Sequence, residues 1–307
     1  MNLPMKPSKT EFRGGEALCF STRALELVVT TAVGPRIVSL RSKGGKKKNL
    51  FIELPDDGSR LLGYDLRGGH RLWHSPEHPV RTYQTDDSPL EVKSLKNGVA
   101  LTQPAEEKTG IQKAITVEFI GERTVKVTHA LTNRGLWTVE CAPWGITMLD
   151  GGGYGVIPLL PKGSHEDGDL LPNYSLVPWS YTDLSLSLWE INRDFLGINV
   201  PEVKIPQKLG ITNYPGWAAY WNQGTTFVKQ APVIKGANYP DLGSCFEVFT
   251  NGTLCEFESL GVLARLEPGK TVKHVEHWTV IDGLPKPNLA ANFAKLQAAV
   301  KPWLAKL

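Results

Sequence analysis

The feature that most limits this chain is an alternation of apolar and polar residues with a period of two. Leu25, Leu27 and Val29 share one register, as do Ile115, Val117 and Phe119, and as do Val125, Val127, His129 and Leu131. Successive side chains of an extended chain point to opposite faces, so each run reads as an antiparallel strand with one buried face. Similar runs lie at 37–40, 218–221, 226–229, 246–249, 254–259 and 272–280. Gly121-Glu122 separates two strands, and Asn133-Arg134-Gly135 ends another as a turn. Thirty glycines and 22 prolines among 307 residues supply such punctuation throughout, which suits many short strands. One segment keeps a different period. Leu289, Phe293, Leu296 and Val300 make a single helical stripe, and Pro302 breaks or kinks it. The expectation is an all-β protein of antiparallel strands, one domain over 1–307, with a helical tail over about 286–307 packed on that domain.

Composition then removes several function classes. A hydrophobic content of 41% with 21% charged residues is that of a globular chain, not a disordered one. Thirty-four basic against 31 acidic residues give +3, which is not the balance of a nucleic-acid binder. No apolar run approaches the ~18 residues of a membrane span, and the N-terminal segment has no continuous apolar core, so a cytoplasmic protein is expected. Cysteines at 19, 141, 245 and 255 have neither metal-ligand spacing nor disulfide-framework density. No metal, no cofactor, no membrane and no nucleic-acid partner are expected, and a monomer or weak homodimer suffices. Lys46-Lys47-Lys48, beside Gly44 and Gly45, reads as a solvated hairpin tip. The glycines at 151–153 and 155 lack the lysine and serine of a phosphate loop. Residues 151–216 read as an irregular, loop-rich centre.

Two segments concentrate polar groups that are costly to bury. The first, 68–78, holds His70, Arg71, Trp73, His74 and Glu77 after two glycines, and reads as one wall of a polar pocket or, alternatively, as a structural turn with its histidines satisfied by backbone. The second holds Asp241, Glu247, Glu256 and Glu258. In a strand Glu247 shares the face of Cys245 and Phe249, which raises its proton affinity and suits it to acid–base work. Glu256 and Glu258 share a face too, where a solvated pair is the plain expectation. His129 reads as a core histidine, and His274 with Glu276 as a solvated strand edge. Trp73, Trp137, Trp144, Trp179, Trp189, Trp217 and Trp221 read as turn or strand-end residues whose flat faces suit sugar rings.

A family resemblance follows from several of these segments in their order along the chain. Gly34-Pro35-Arg36-Ile37-Val38-Ser39-Leu40 with Asn49-Leu50-Phe51, then Asn133-Arg134-Gly135 with Ala142-Pro143-Trp144, and the closing stretch from Leu260-Gly261 to His277-Trp278 resemble the galactose mutarotase-like superfamily. The resemblance covers the chain to about residue 282 and is nearest to an uncharacterised bacterial branch. It implies a β-supersandwich with a ligand cleft, a small-molecule or oligomeric carbohydrate as partner, and aldose 1-epimerase-like acid/base catalysis. Glu247 would then be the base and His70 or His74 the acid. Arg71 would orient the sugar, Lys229 and Asp241 would bind its hydroxyls, and Trp73 or Trp144 would stack on its ring. The strand expected to carry a second histidine, near 142–148, has Trp144 and no histidine. The same cleft would also suit a non-catalytic carbohydrate binder, or a hydrolase or lyase using Glu247 with Glu256 or Glu258.

Overall fold

A computed structural model describes residues 5–46, 49–200 and 205–305. Lys47 and Lys48 of the basic block lie outside the described residues. The period-two runs form strands as expected. β1 (Ser8–Phe12), β2 (Gly15–Ser21), β3 (Leu25–Thr30) and β4 (Arg36–Ser42) make an antiparallel meander, and β5 (Gly69–Ser75) pairs with β4 after a long connection. The segment read as a turn at 68–78 is therefore largely a buried strand. β6 (Glu91–Leu95), β7 (Gly98–Thr102), β8 (Ile111–Phe119) and β9 (Thr124–Asn133) make a second meander. β10 (Val139–Asp150) then returns to lie beside β5.

The centre is more regular than its composition implies. It carries β11 (Tyr154–Pro158), β12 (Leu176–Pro178), β13 (Trp189–Ile191), β14 (Phe195–Asn199) and β15 (Gln207–Ile211). Strands of three to five residues hold too few alternations to reveal a period. β16 (Trp217–Asn222), β17 (Thr225–Gln230), β18 (Phe246–Thr250), β19 (Leu254–Leu260), β20 (Ala264–Leu266) and β21 (Thr271–Asp282) complete the β structure.

These strands lie in two antiparallel sheets. The first runs β1-β2-β3-β4-β5-β10-β19-β18-β15-β12, with β20 attached to β10; the second runs β13-β14-β11-β16-β17-β21-β9-β8-β7-β6. Between them lies the apolar core, including Leu27, Ile37, Leu149, Val127, Phe227, Phe257 and Trp278. The C-terminal helix α1 (Ala290–Val300) buries Phe293, Leu296 and Val300 in a smaller cluster with Tyr154, Phe195 and Trp217 on the second sheet, and a 3₁₀ turn (Lys301–Trp303) follows at Pro302. Leu289 of the expected stripe stays exposed at the helix entrance. Among the described residues no helix is long and apolar enough to cross a membrane.

Register decides which side chains meet. Across β5, β10, β19, β18 and β15 one row of paired residues reads Arg71, Ile146, Glu258, Glu247, Gly210, and the adjacent row reads His70, Thr147, Phe257, Val248, Leu209. Paired residues in antiparallel strands share a face and adjacent rows take opposite faces. The second row points into the sandwich; the first points away from it, beneath the covering loops.

Candidate functional site

On the outer face, a cavity of about 390 Å³ is walled by Trp144, Trp179 and Tyr83 and edged by Lys208, Glu77 and Asp241. That volume falls within the roughly 300–1,000 Å³ of small-molecule sites. β15 supplies Lys208, whose Nζ lies 2.8 Å from Glu247 Oε2 and 2.8 Å from Glu258 Oε2. The same ammonium stands 4.7 Å from the Trp144 ring centre and 4.8 Å from that of Trp179. Trp144 Nε1 donates to Glu258 Oε2 at 2.9 Å. Arg71, on β5, donates to Glu256 Oε1 at 3.1 Å and stacks 4.2 Å over Trp73. The Tyr83 hydroxyl donates to Glu77, and Ser75 Oγ to Asp241 Oδ2 at 3.2 Å. Asp241 and Leu242 both have left-handed backbone, at φ 50° and 58°, which turns the chain over the cavity rim.

Electrostatics follow from burial. Glu247 is fully buried, and its proton affinity is pushed well above the carboxylate range, first by burial and then by Glu258 and Asp241, against the pull of Lys208. Burial likewise raises Glu256 in spite of Arg71. Lys208 loses by burial but is held well above its usual range by Glu247 and Glu258. Tyr181 is pushed up to about 12, chiefly by burial. Oε1 of Glu247 and Oε1 of Glu258 are buried without a hydrogen-bond partner.

The structure thus gathers Arg71, Trp73, Glu77, Trp144, Asp241, Glu247, Glu256 and Glu258 on one face. Several expectations are corrected. Glu256 and Glu258 are not a solvated pair, because covering loops seal their face. Trp73 and Trp144 sit in mid-strand, not at loop edges; of that set Trp137 is the one left largely exposed. His70, His74 and Lys229 do not line this cleft, since their register turns them into the sandwich. His74 Nε2 is 3.8 Å from Glu106, which pairs with Lys113 at 2.5 Å. Sequence reasoning missed Lys208 and Tyr83. A lysine alternating with Leu209 and Ile211 looks like a solvated strand face, and no local signal distinguishes it.

The inward row builds a second polar cluster. His70 Nε2 meets His129 Nε2 at 2.7 Å, and His70 Nδ1 meets Thr147 Oγ1 at 2.9 Å. Lys229, from the opposite sheet, donates to the Gly145 carbonyl at 2.8 Å, the Phe257 carbonyl at 2.9 Å and Thr147 Oγ1 at 3.1 Å, and pairs with Glu276 Oε1 at 3.1 Å. Ser259 Oγ and Trp278 Nε1 donate to the two oxygens of Glu276, and His274 Nε2 donates to Ser259 at 2.7 Å. His129 Nδ1 faces the His274 carbonyl at 3.2 Å and so carries a proton; its Nε2 then accepts from His70. His274 and Glu276, read from sequence as a solvated edge, are buried instead. Burial holds His70, His129 and His274 neutral, His274 down to about 3, while Lys229 keeps Glu276 ionised against its burial.

His70, His129 and Glu276 present ligand atoms within 4.8 Å of one another. Every one of those atoms has a protein partner, and the Lys229 ammonium already occupies the cationic position beside Glu276. This donor set therefore suits a closed hydrogen-bond network rather than an ion. A larger recess of about 440 Å³ lies beyond Tyr83, but its Asp86 and Glu106 are committed to Arg36, Arg67 and Lys113.

No family model and no curated protein matches the chain in sequence. Its architecture does match solved structures. A galactose mutarotase-like protein from Lactobacillus casei is similar over 86% of this chain and all of that one, with a TM-score of 0.57 at 9% identity. Another from Clostridium acetobutylicum is similar over 91% and 99% of the two chains, with a TM-score of 0.57 at 10% identity. The chain has the galactose mutarotase-like fold. A protein from Escherichia coli K12 described as a candidate aldose 1-epimerase has this mutarotase-like fold too, over 91% and 99% of the chains, with a TM-score of 0.53 at 11% identity. Identities this low speak to fold, and a shared fold does not assign an activity.

Proposed function

We propose that this chain is a carbohydrate-binding protein whose ligand lies against Trp144 and Trp179 above the Glu247–Lys208–Glu258 triad. The observation that carries the reading is the cavity itself. Aromatic faces flank it, and hydrogen-bonding groups of both kinds stand at its floor and rim. Sugars pair apolar C–H faces with hydroxyls that both donate and accept, so they fit such a surface. The fold gives independent support. Binding without turnover is favoured because Glu247 is held by Lys208 at 2.8 Å and, among the described residues, no histidine lines the cavity.

One observation supports a second reading, aldose 1-epimerase-like catalysis. Burial gives Glu247 the raised proton affinity that a general acid needs near neutral pH. Saturation-transfer NMR and polarimetry on freshly dissolved aldoses separate the two. The binding reading expects Glu247→Gln, which keeps Lys208 paired to Glu258, to leave sugar affinity nearly unchanged, with no acceleration of anomer exchange by the parent. Exchange accelerated by the parent and slowed about 10²–10⁴-fold in Glu247→Gln would establish catalysis instead.

A further inference from the structure

Resting on the carbohydrate reading, we infer that the cleft selects amino sugars, through their protonated amine, over neutral sugars and rejects uronic acids and sugar phosphates. Five carboxylates, Glu77, Asp241, Glu247, Glu256 and Glu258, stand at the cavity or directly beneath it, against two cations. With Glu247 holding its proton the balance is still four to two. Neither cation is free to receive an anion. Arg71 is committed to Glu256 at 3.1 Å and to the Trp73 face, and Lys208 is shared between two glutamates.

Unpartnered groups on the same face point the same way. Glu258 Oε1 is a fully buried acceptor with nothing donating to it, so its negative charge beneath the cavity is only partly offset by Lys208 and Trp144. Arg71 Nε and Trp73 Nε1 are buried donors without acceptors. The charge of Arg71 is already balanced by Glu256, so it offers no site to an anion. Trp144 and Trp179 supply the faces that attract cations, and the protein's own Lys208 ammonium already stands against both. This surface is built to hold positive charge.

The test compares matched sugars by calorimetry on the full chain: glucose, glucosamine, N-acetylglucosamine, glucuronate and glucose 6-phosphate, with the galacto series beside them. Glucosamine or galactosamine should bind about tenfold tighter than its neutral and N-acetylated counterparts, the gain expected of one charge-assisted contact. The preference should shrink in raised salt, and glucuronate and glucose 6-phosphate should not bind measurably. Asp241→Asn removes one rim charge while keeping a residue that tolerates left-handed backbone, so it should fold as the parent does and cut the amine preference several-fold. Neutral sugars binding as well as amino sugars, or uronates binding better, would overturn this inference and leave the carbohydrate reading standing. No binding by any of these sugars would overturn both.

Discussion

Lowering the pH from 7 to 5 should draw stability out of the inward cluster, and His274 measures how much. His70, His129 and His274 are neutral when folded, because burial depresses their proton affinity, His274 to about 3. In the unfolded chain each takes a proton near pH 6.5. The unfolded state therefore binds more protons throughout this window. Stability is fully present above about pH 6.5 and falls as the pH drops below it. At pH 5 the His274 imidazole, held down to about 3 in the fold, lies about 1.5 pH units below its unfolded midpoint, worth roughly 2 kcal/mol, and His70 and His129 act in the same direction. His274 alone is thus a sizeable share of the roughly 5–15 kcal/mol by which domains are stable. Glu276 acts in the same direction only at lower pH, through the carboxylate range, because its own affinity is depressed. Glu247 opposes, since its raised affinity adds stability as the pH falls. Urea unfolding followed by tryptophan fluorescence at half-unit steps from pH 8 to 5 measures the slope. His274→Gln should lower the slope by about one proton near pH 5.5. A slope left unchanged by His274→Gln would refute the claim that this imidazole is buried and neutral.

Three further outcomes follow from the geometry. Lys208→Met leaves Glu247 and Glu258 buried without a counter-charge and should cost about 3–5 kcal/mol in urea unfolding, partly recovered by adding Glu247→Gln; a loss under about 1 kcal/mol would mean the triad is solvated. Gly145→Ala places a methyl against Glu276 Oε1 and 3.3 Å from the His129 ring, and should destabilise by about 1–3 kcal/mol, read as a lower urea midpoint at unchanged slope. Chelator or added zinc should leave the melting temperature within about 2 °C, because Lys229 fills the cationic position beside Glu276; a zinc-dependent rise of several degrees would refute that assignment.

Much of the fold was legible because period-two alternation reports parity directly. The buried faces of β8 and β9 fall where Ile115, Val117, Val125 and Val127 placed them. The burial of Glu247 was legible too, from its register with Cys245 and Phe249. Alternation does not say which face of a strand meets the partner sheet. That depends on pairings between distant segments, such as His70 with Thr147 and Thr147 with Phe257. Reading 68–78 as a pocket wall put His70 and Trp73 together, whereas β5 sends them to opposite faces. The two glycines open a seven-residue strand instead. His274 and Glu276 looked solvated because a polar pair seldom enters a core, and only their three-dimensional partners make that burial affordable. Lys208 left no trace, since its carboxylates lie on other strands.

β5 and β10 are two-sided in a way that bears on how such a protein can change. In 70–74 the even positions belong to the interior and the odd ones to the cleft, and in β10 Gly145 and Thr147 face the network while Trp144 and Ile146 face outward. Ligand preference can therefore be rewritten at alternate positions while the residues between them keep the scaffold intact. Inserting or deleting one residue in either strand is another matter, because it would trade the two sets, driving Arg71 into the core and setting His70 in the cleft. Diversification of this site is open to substitution and closed to single-residue changes in length.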